Sequence, residues 1–152
     1  MKYNIRSNDI VGAWRLNSWL IYYEGDREPG APFGQQPSGL LLYSSDDWMS
    51  ATVHHDQRPL FPANLSPRKL DTRLITDAYR SYFHYAGTYR IENDQVIHSV
   101  RHSLNPGFVG TDQVRRMKLD PPFLTLTGVE VIQGETRRHE LIWQRVNPEE
   151  GP

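Results

Sequence analysis

The sequence predicts an all-β fold: an eight-stranded antiparallel up-and-down barrel with one helix inserted between the third and fourth strands. Three observations carry this. Apolar residues recur with period two through eight separate runs. The connections between the runs are short at one end of the would-be sheet and mostly long at the other, so one end is tight and the other elaborated. Finally, the first run opens on Gly12-Ala13-Trp14 and the last finishes on Trp143-Gln144-Arg145. Closing the sheet pairs these two runs and brings Arg145 to Trp14. A guanidinium over an indole face contributes roughly 0.5–2 kcal/mol, and its methylene stem covers apolar surface. Closure also removes exposed strand edges and leaves room for about one small ligand.

Strand A is expected from about Trp14 to Tyr23, with Trp14, Leu16, Ser18, Leu20 and Tyr22 on one face. Glu24 to Ser38 is rich in Gly and Pro and reads as a loop. Strand B is Gly39–Tyr43, Ser44 to Asp47 a tight turn, and strand C Trp48–His54, followed by a Pro-containing stretch to Leu65. Ser66 then offers an N-cap and Pro67 an N1 residue. Leu70, Leu74, Ile75, Ala78, Tyr79, Tyr82 and Phe83 form a helical stripe that Gly87 is placed to end. Period two returns in strand D (Thr88–Ile91), the Asn93-Asp94 turn and strand E (Gln95–Ser103). Asn105 to Gly110 is a loop, strand F runs Thr111–Leu119, and Asp120-Pro121-Pro122 turns the chain. Strand G (Phe123–Ile132), the Gln133-Gly134 turn and strand H (Thr136–Val146) complete the set. In this arrangement Trp14 and Arg145 lie at the closed end, and the helix caps the open one.

The 152 residues make one domain, with a core over about 10–146 and a frayed tail at 147–152. A hydrophobic fraction of 38% and an aromatic fraction of 11% exclude disorder, and no apolar run is long enough to cross a bilayer. The net charge of −1, with Arg interleaved among Asp and Glu, argues against a nucleic-acid partner. A polar N-terminal run and the absence of cysteine point to the cytoplasm and exclude thiol chemistry.

The runs Val11 to Leu16, Leu41-Leu42-Tyr43, Trp48 to Ala51, Tyr85 to Tyr89, His98, Gly110 to Arg116 and Leu141 to Arg145 resemble the small bacterial and fungal lipocalin-like domain family of the calycin superfamily. In that family a strand-A Gly-x-Trp, here Gly12 and Trp14, meets a C-terminal Arg, here Arg145. The resemblance implies a stand-alone intracellular barrel with a helix between strands C and D. It also implies company with cofactor-free cyclases and isomerases of natural-product pathways, although a fold does not fix a function.

Strand parity selects the candidate site. Met117 and Leu119 face inward on strand F, which brings Arg115, Gln113 and Thr111 with them; Val96 and Val100 do the same for His98 and His102 on strand E. Tyr43, Met49, Tyr89 and Trp143 complete the wall, with Tyr79 and Phe83 contributed by the capping helix either as core or as ligand contacts. A buried Arg115 is either satisfied by Gln113, Tyr43 and a backbone carbonyl, or binds a carboxylate or enolate oxygen. His98 is either a core histidine or a general acid–base group. No metal is expected, because His54 and His55 point to opposite faces of a strand and His98 and His102 stand about 13 Å apart. No Gly-rich phosphate cradle, nucleophile elbow or paired-carboxylate site is visible, so no cofactor is expected.

The preferred reading is a cofactor-independent cyclase or isomerase on a mostly apolar, natural-product-like substrate, with His98, Arg115 and Gln113 catalytic. The alternative is a carrier for a small hydrophobic or amphipathic molecule, and a third reading is an interaction module with a purely structural core. A monomer or homodimer is expected.

Overall fold

A computed structural model describes residues 4–147. Its eight strands are β1 (Gly12–Tyr23), β2 (Ser38–Tyr43), β3 (Trp48–His54), β4 (Tyr82–Glu92), β5 (Gln95–Ser103), β6 (Asp112–Asp120), β7 (Phe123–Ile132) and β8 (Glu135–Arg145). Each pairs antiparallel with its neighbour in sequence, and β1 pairs with β8 to close the barrel. The expected all-β, eight-stranded barrel is therefore the observed one.

The closed end is built as the Gly-x-Trp and Arg pattern requires. Trp14 is opposite Arg145 in the β1–β8 register, and the guanidinium carbon lies 4.1 Å from the indole centroid. Arg145 Nη1 donates to the Val11 carbonyl at 2.9 Å and Nη2 to the Asp9 carbonyl at 2.6 Å. Trp14 Nε1 donates to the Ile10 carbonyl at 2.8 Å. These carbonyls belong to a short helix, α1 (Ser7–Ile10), and to the residue after it, so one cation ties the last strand to the helix end that precedes the first. Gly12 is needed twice over: its φ of +128° disfavours any side chain, and a Cβ there would lie 2.9 Å from Arg145 Nη1. Above this clamp every strand contributes one side chain to a packed layer: Trp14, Tyr43, Met49, Tyr89, Val96, Met117, Leu124 and Trp143, none more than 5% exposed. Burial of each contributes on the order of 2 kcal/mol.

Three expectations are corrected and one is extended. First, α1 occupies part of the polar N-terminal run and buries Ile10 completely; Met1–Tyr3 and most of the expected tail, Pro148–Pro152, lie outside the described residues. Second, strand A does not keep one face throughout. The β1–β8 register slips between Leu16 and Ser18, making Asn17 an extra residue, so Trp19 and Ile21 turn inward in place of Ser18, Leu20 and Tyr22. Third, the stretch after β1 is the expected loop, and it is anchored. Gly30 bridges to Ile21, and the buried Phe33 meets Trp19 edge-on at 4.8 Å between ring centroids.

Fourth, the helix is shorter than its stripe. Ser66 caps only a 3-10 turn, Pro67–Lys69. The α-helix, α2, spans Thr72–Arg80 with Asp71 as its N-cap, and it buries no residue of its own. Tyr82 and Phe83 open β4 instead, opposite His54 and Val53. The run Tyr82-Phe83-His84-Tyr85 is aromatic and fits both periods, and pairing with β3 decides for the strand. Gly87 is not a helix terminator but a strand residue where the Ser99 carbonyl approaches so closely that a Cβ would sit 1.9 Å from its oxygen. Arg58 fastens the loop before α2 by donating to Ser81 Oγ and the Ala78 carbonyl at 3.1 and 3.2 Å.

The clamp yields a stability prediction. Arg145→Ala removes the cation–π contact and two charge-assisted bonds to helix-end carbonyls, at a cost of about 3 kcal/mol. Urea unfolding followed by tryptophan fluorescence should show this drop, with Arg145→Lys recovering only a minor part because an ammonium cannot span both carbonyls and cover the ring. An unchanged midpoint for Arg145→Ala would assign closure to the strand ladder alone.

Candidate ligand cavity and its polar groups

Above the packed layer the barrel encloses a cavity of about 290 Å³. Its walls are mostly apolar, with Trp19, Leu41, Ala51, Val53, Leu126 and Leu141 from five strands, Trp143 as its floor, and Phe83 and Phe108 toward the open end. The polar lining is Tyr85, His98, Gln113, Arg115, Glu130 and His139.

Parity places Gln113 and Arg115 as expected. Gln113 is opposite His98 and Arg115 opposite Val96 in the β5–β6 register, and both line the cavity. Arg115 Nη1 donates to the Val114 carbonyl at 2.9 Å, and Nη2 approaches Gln113 Oε1 at 3.4 Å. Thr111 Oγ1 donates to the Phe108 carbonyl and receives Gln113 Nε2 at 2.9 Å. That chain turns the amide so that its oxygen faces the guanidinium. No carboxylate among the described residues forms an ion pair with Arg115. Its stem and guanidinium lie against Gly128, whose missing side chain makes the space. β6 and β7 pair only from Arg116 to Asp120, opposite Phe123 to Thr127, so Arg115 stands where their ladder stops.

Among the described residues His98 is the one buried residue outside the hydrophobic and aromatic core, 2% exposed. Tyr43 Oη lies 2.7 Å from its Nε2 and Tyr85 Oη 2.6 Å from its Nδ1. Both ring nitrogens are thus engaged by tyrosines. Burial, with a smaller contribution from the Arg115 charge, lowers its pKa from the ordinary 6.5 to about 3, so the ring is neutral at physiological pH. Burial likewise raises the Tyr43 and Tyr85 hydroxyls, against a smaller opposing pull from Arg115.

The other expected ligand contacts divide. Phe83 and Trp143 line the cavity. Tyr43, Met49 and Tyr89 lie beneath it in the closed-end layer; Tyr89 donates to the Ser44 carbonyl at 2.8 Å and packs on Tyr43 at 4.7 Å. His102 is displaced outward. The β4–β5 register slips between Ala86 and Gly87, Arg101 is the extra residue, and His102 lands exposed opposite Ala86. Tyr79 is 48% exposed on α2, which lends no residue to the cavity wall.

Of the lining residues that escaped sequence reasoning, the aromatic and polar ones are Trp19, Tyr85, Phe108, Glu130 and His139. Trp19 Nε1 donates to His139 Nδ1 at 3.1 Å, and His139 Nε2 lies 2.6 Å from Glu130 Oε1. An indole only donates, so Nδ1 is the bare nitrogen and Nε2–H is the donor to the carboxylate. The parity that placed Trp143 inward also places Leu141 and His139 inward, and Leu124 and Leu126 do the same for Glu130. That signal was readable. Trp19 depended on the bulge, and Tyr85 on the true start of β4.

The buried histidine makes stability depend on pH. Below pH 6.5 the unfolded chain takes up a proton at His98 that the folded chain refuses until about pH 3. The unfolded state binds more protons there, so stability falls as pH drops through that window, by up to about 1.4 kcal/mol per pH unit. Urea unfolding at pH 7, 6, 5 and 4 should show a shallower decline for His98→Gln than for the unsubstituted protein. Parallel curves would assign the loss to other groups.

Among the described residues no helix is long and apolar enough to cross a membrane. Comparison with curated proteins returns no match. The lipocalin-like domain family, in contrast, matches residues 11–146, from the residue before Gly12 to the residue after Arg145. A closed eight-stranded barrel, its Gly-x-Trp and Arg clamp, and a match over nearly the whole chain agree: this chain belongs to the lipocalin-like domain family.

Proposed function

We propose that the barrel binds a small, mostly apolar molecule with an oxygen-bearing handle and acts on it without a cofactor, as an isomerase or cyclase. The observation that supports this is Arg115, a cation with no carboxylate partner among the described residues, lining an otherwise apolar cavity. A guanidinium so placed is available to an oxygen on which negative charge develops, and Gln113 holds it in position.

In this reading the proton-carrying role passes from His98 to Glu130. His98 has both nitrogens engaged, and its depressed basicity suits it poorly to accept a proton at pH 7. Glu130 is a cavity-lining carboxylate steadied through one oxygen by His139. It takes a proton from the carbon next to a carbonyl; the C–H electron pair becomes the C=C bond of an enolate, and the carbonyl π pair settles on oxygen against Arg115. Where the substrate carries a C=C beyond that carbon the enolate is a dienolate, and return of the proton from Glu130 to its far carbon moves the C=C into conjugation, gives the isomer and restores the carboxylate.

Deuterium exchange at the carbons beside the carbonyl of nonan-2-one in ²H₂O, followed by NMR, tests this. The protein should accelerate exchange over buffer, and Glu130→Gln should lower the rate by about a hundredfold while binding of the ketone changes little. Arg115→Ala should weaken both. Ketone binding without exchange would overturn the enzyme reading in favour of a carrier.

A further inference from the structure

The Tyr43–His98–Tyr85 contacts carry a statement about ligand class, which rests on the cavity being the ligand site. A neutral imidazole has one N–H and one bare nitrogen, so one tyrosine donates to His98 and the other accepts from it. Tyr43 Oη is fully enclosed beneath the cavity, and among the described residues His98 Nε2 is its sole hydrogen-bond partner. If Nε2 carried the proton, the Tyr43 hydroxyl hydrogen would be buried with no acceptor. The matched arrangement has Tyr43 donating to Nε2 and Nδ1–H donating to Tyr85 Oη. The Tyr85 hydroxyl hydrogen then has no acceptor among the described residues, and Tyr85 lines the cavity.

A further donor belongs to the same lining: Arg115 uses only part of its fan of N–H groups on Val114 and Gln113. Near Arg115 the acceptor is already taken, Gln113 Oε1 by Arg115, while Glu130 on β7 gives Oε1 to His139 and keeps its second oxygen as the base of the proposed function.

We propose that Tyr85, held as a donor by His98 and Tyr43, forms with Arg115 a donor-rich centre that selects ligands presenting a bare oxygen: a ketone, enolate or carboxylate. At these groups an alcohol hydrogen meets only donors, and an ammonium brings a charge of the same sign as Arg115, so both heads are disfavoured. Tyr85 is the ligand-touching group, and His98 and Tyr43 are positioning residues.

Calorimetric titration with nonan-2-one, nonanoate, nonan-1-ol and nonylammonium, which share a chain and differ in the head, tests the selection. The ketone and carboxylate should bind at least about tenfold tighter than the alcohol and the ammonium. Tyr85→Phe should largely erase the gap between ketone and alcohol. Tyr43→Phe, at a residue outside the cavity, should erase it too, because His98 then shifts its proton to Nε2 and draws the Tyr85 hydrogen away. The ¹⁵N spectrum of His98 in the unsubstituted protein needs neither variant to fold and should show the proton on Nδ1. A proton on Nε2, or equal affinity for all four heads, overturns this inference. Failure of all four to bind removes the cavity as ligand site and the proposed function with it. Selective binding without deuterium exchange removes only the enzyme reading.

Discussion

The placement of Arg145 over Trp14 is the constraint on which the rest of the barrel depends. One guanidinium covers an indole, donates to two carbonyls at the end of α1, and passes over a glycine that leaves it room. None of these contacts is large alone, but all are made by the last residue of β8 to residues at or before the start of β1. They hold together the two ends of a chain that must meet for the sheet to have no edge. With that end closed, eight inward side chains fill the space directly above it. Further from the clamp the space is lined but not filled.

The cavity follows a second rule, the cost of leaving polar groups unmatched in an apolar enclosure. Around His98 the rule is met by tyrosines on both nitrogens, which keeps the ring neutral and fixes the direction of the neighbouring hydroxyls. On the β1–β7–β8 wall it is met by the chain from Trp19 through His139 to Glu130. Arg115 is matched only in part, at the place where the β6–β7 ladder ends. Around Tyr85 and Arg115 the unmatched polarity is thus concentrated in donors, and the ligand selection proposed for the barrel follows from that imbalance.

Much of this was legible residue by residue. The inward positions of Gln113, Arg115, His98 and Trp143 followed from alternation along strands without a bulge between the reference residue and the target. His102 and Ser18 failed for one reason: a single extra residue, Arg101 or Asn17, reverses every side chain beyond it. The helix overran because Tyr82 and Phe83 satisfy both a helical stripe and a strand alternation, and only the partners on β3 distinguish the two. Tyr43, Met49 and Tyr89 faced the right way but lay at the wrong height, since parity reports the face and not the distance from the closed end.

The sequence by itself determined the strand order, the closure of the barrel and the clamp, because period-two patterning, turn residues and a terminal Arg–Trp match are local or end-to-end properties of the chain. It determined the family by the same residues. Only the tertiary structure decided where the packing layer stops and the cavity begins, which bulges reverse a face, and which donors have acceptors. Those depend on how eight strands are staggered around a common axis. The tyrosines on His98 show the reason: they come from β2 and β4, 55 and 13 residues from the ring they hold, and nothing in the spacing of Tyr43, Tyr85 and His98 announces that they meet.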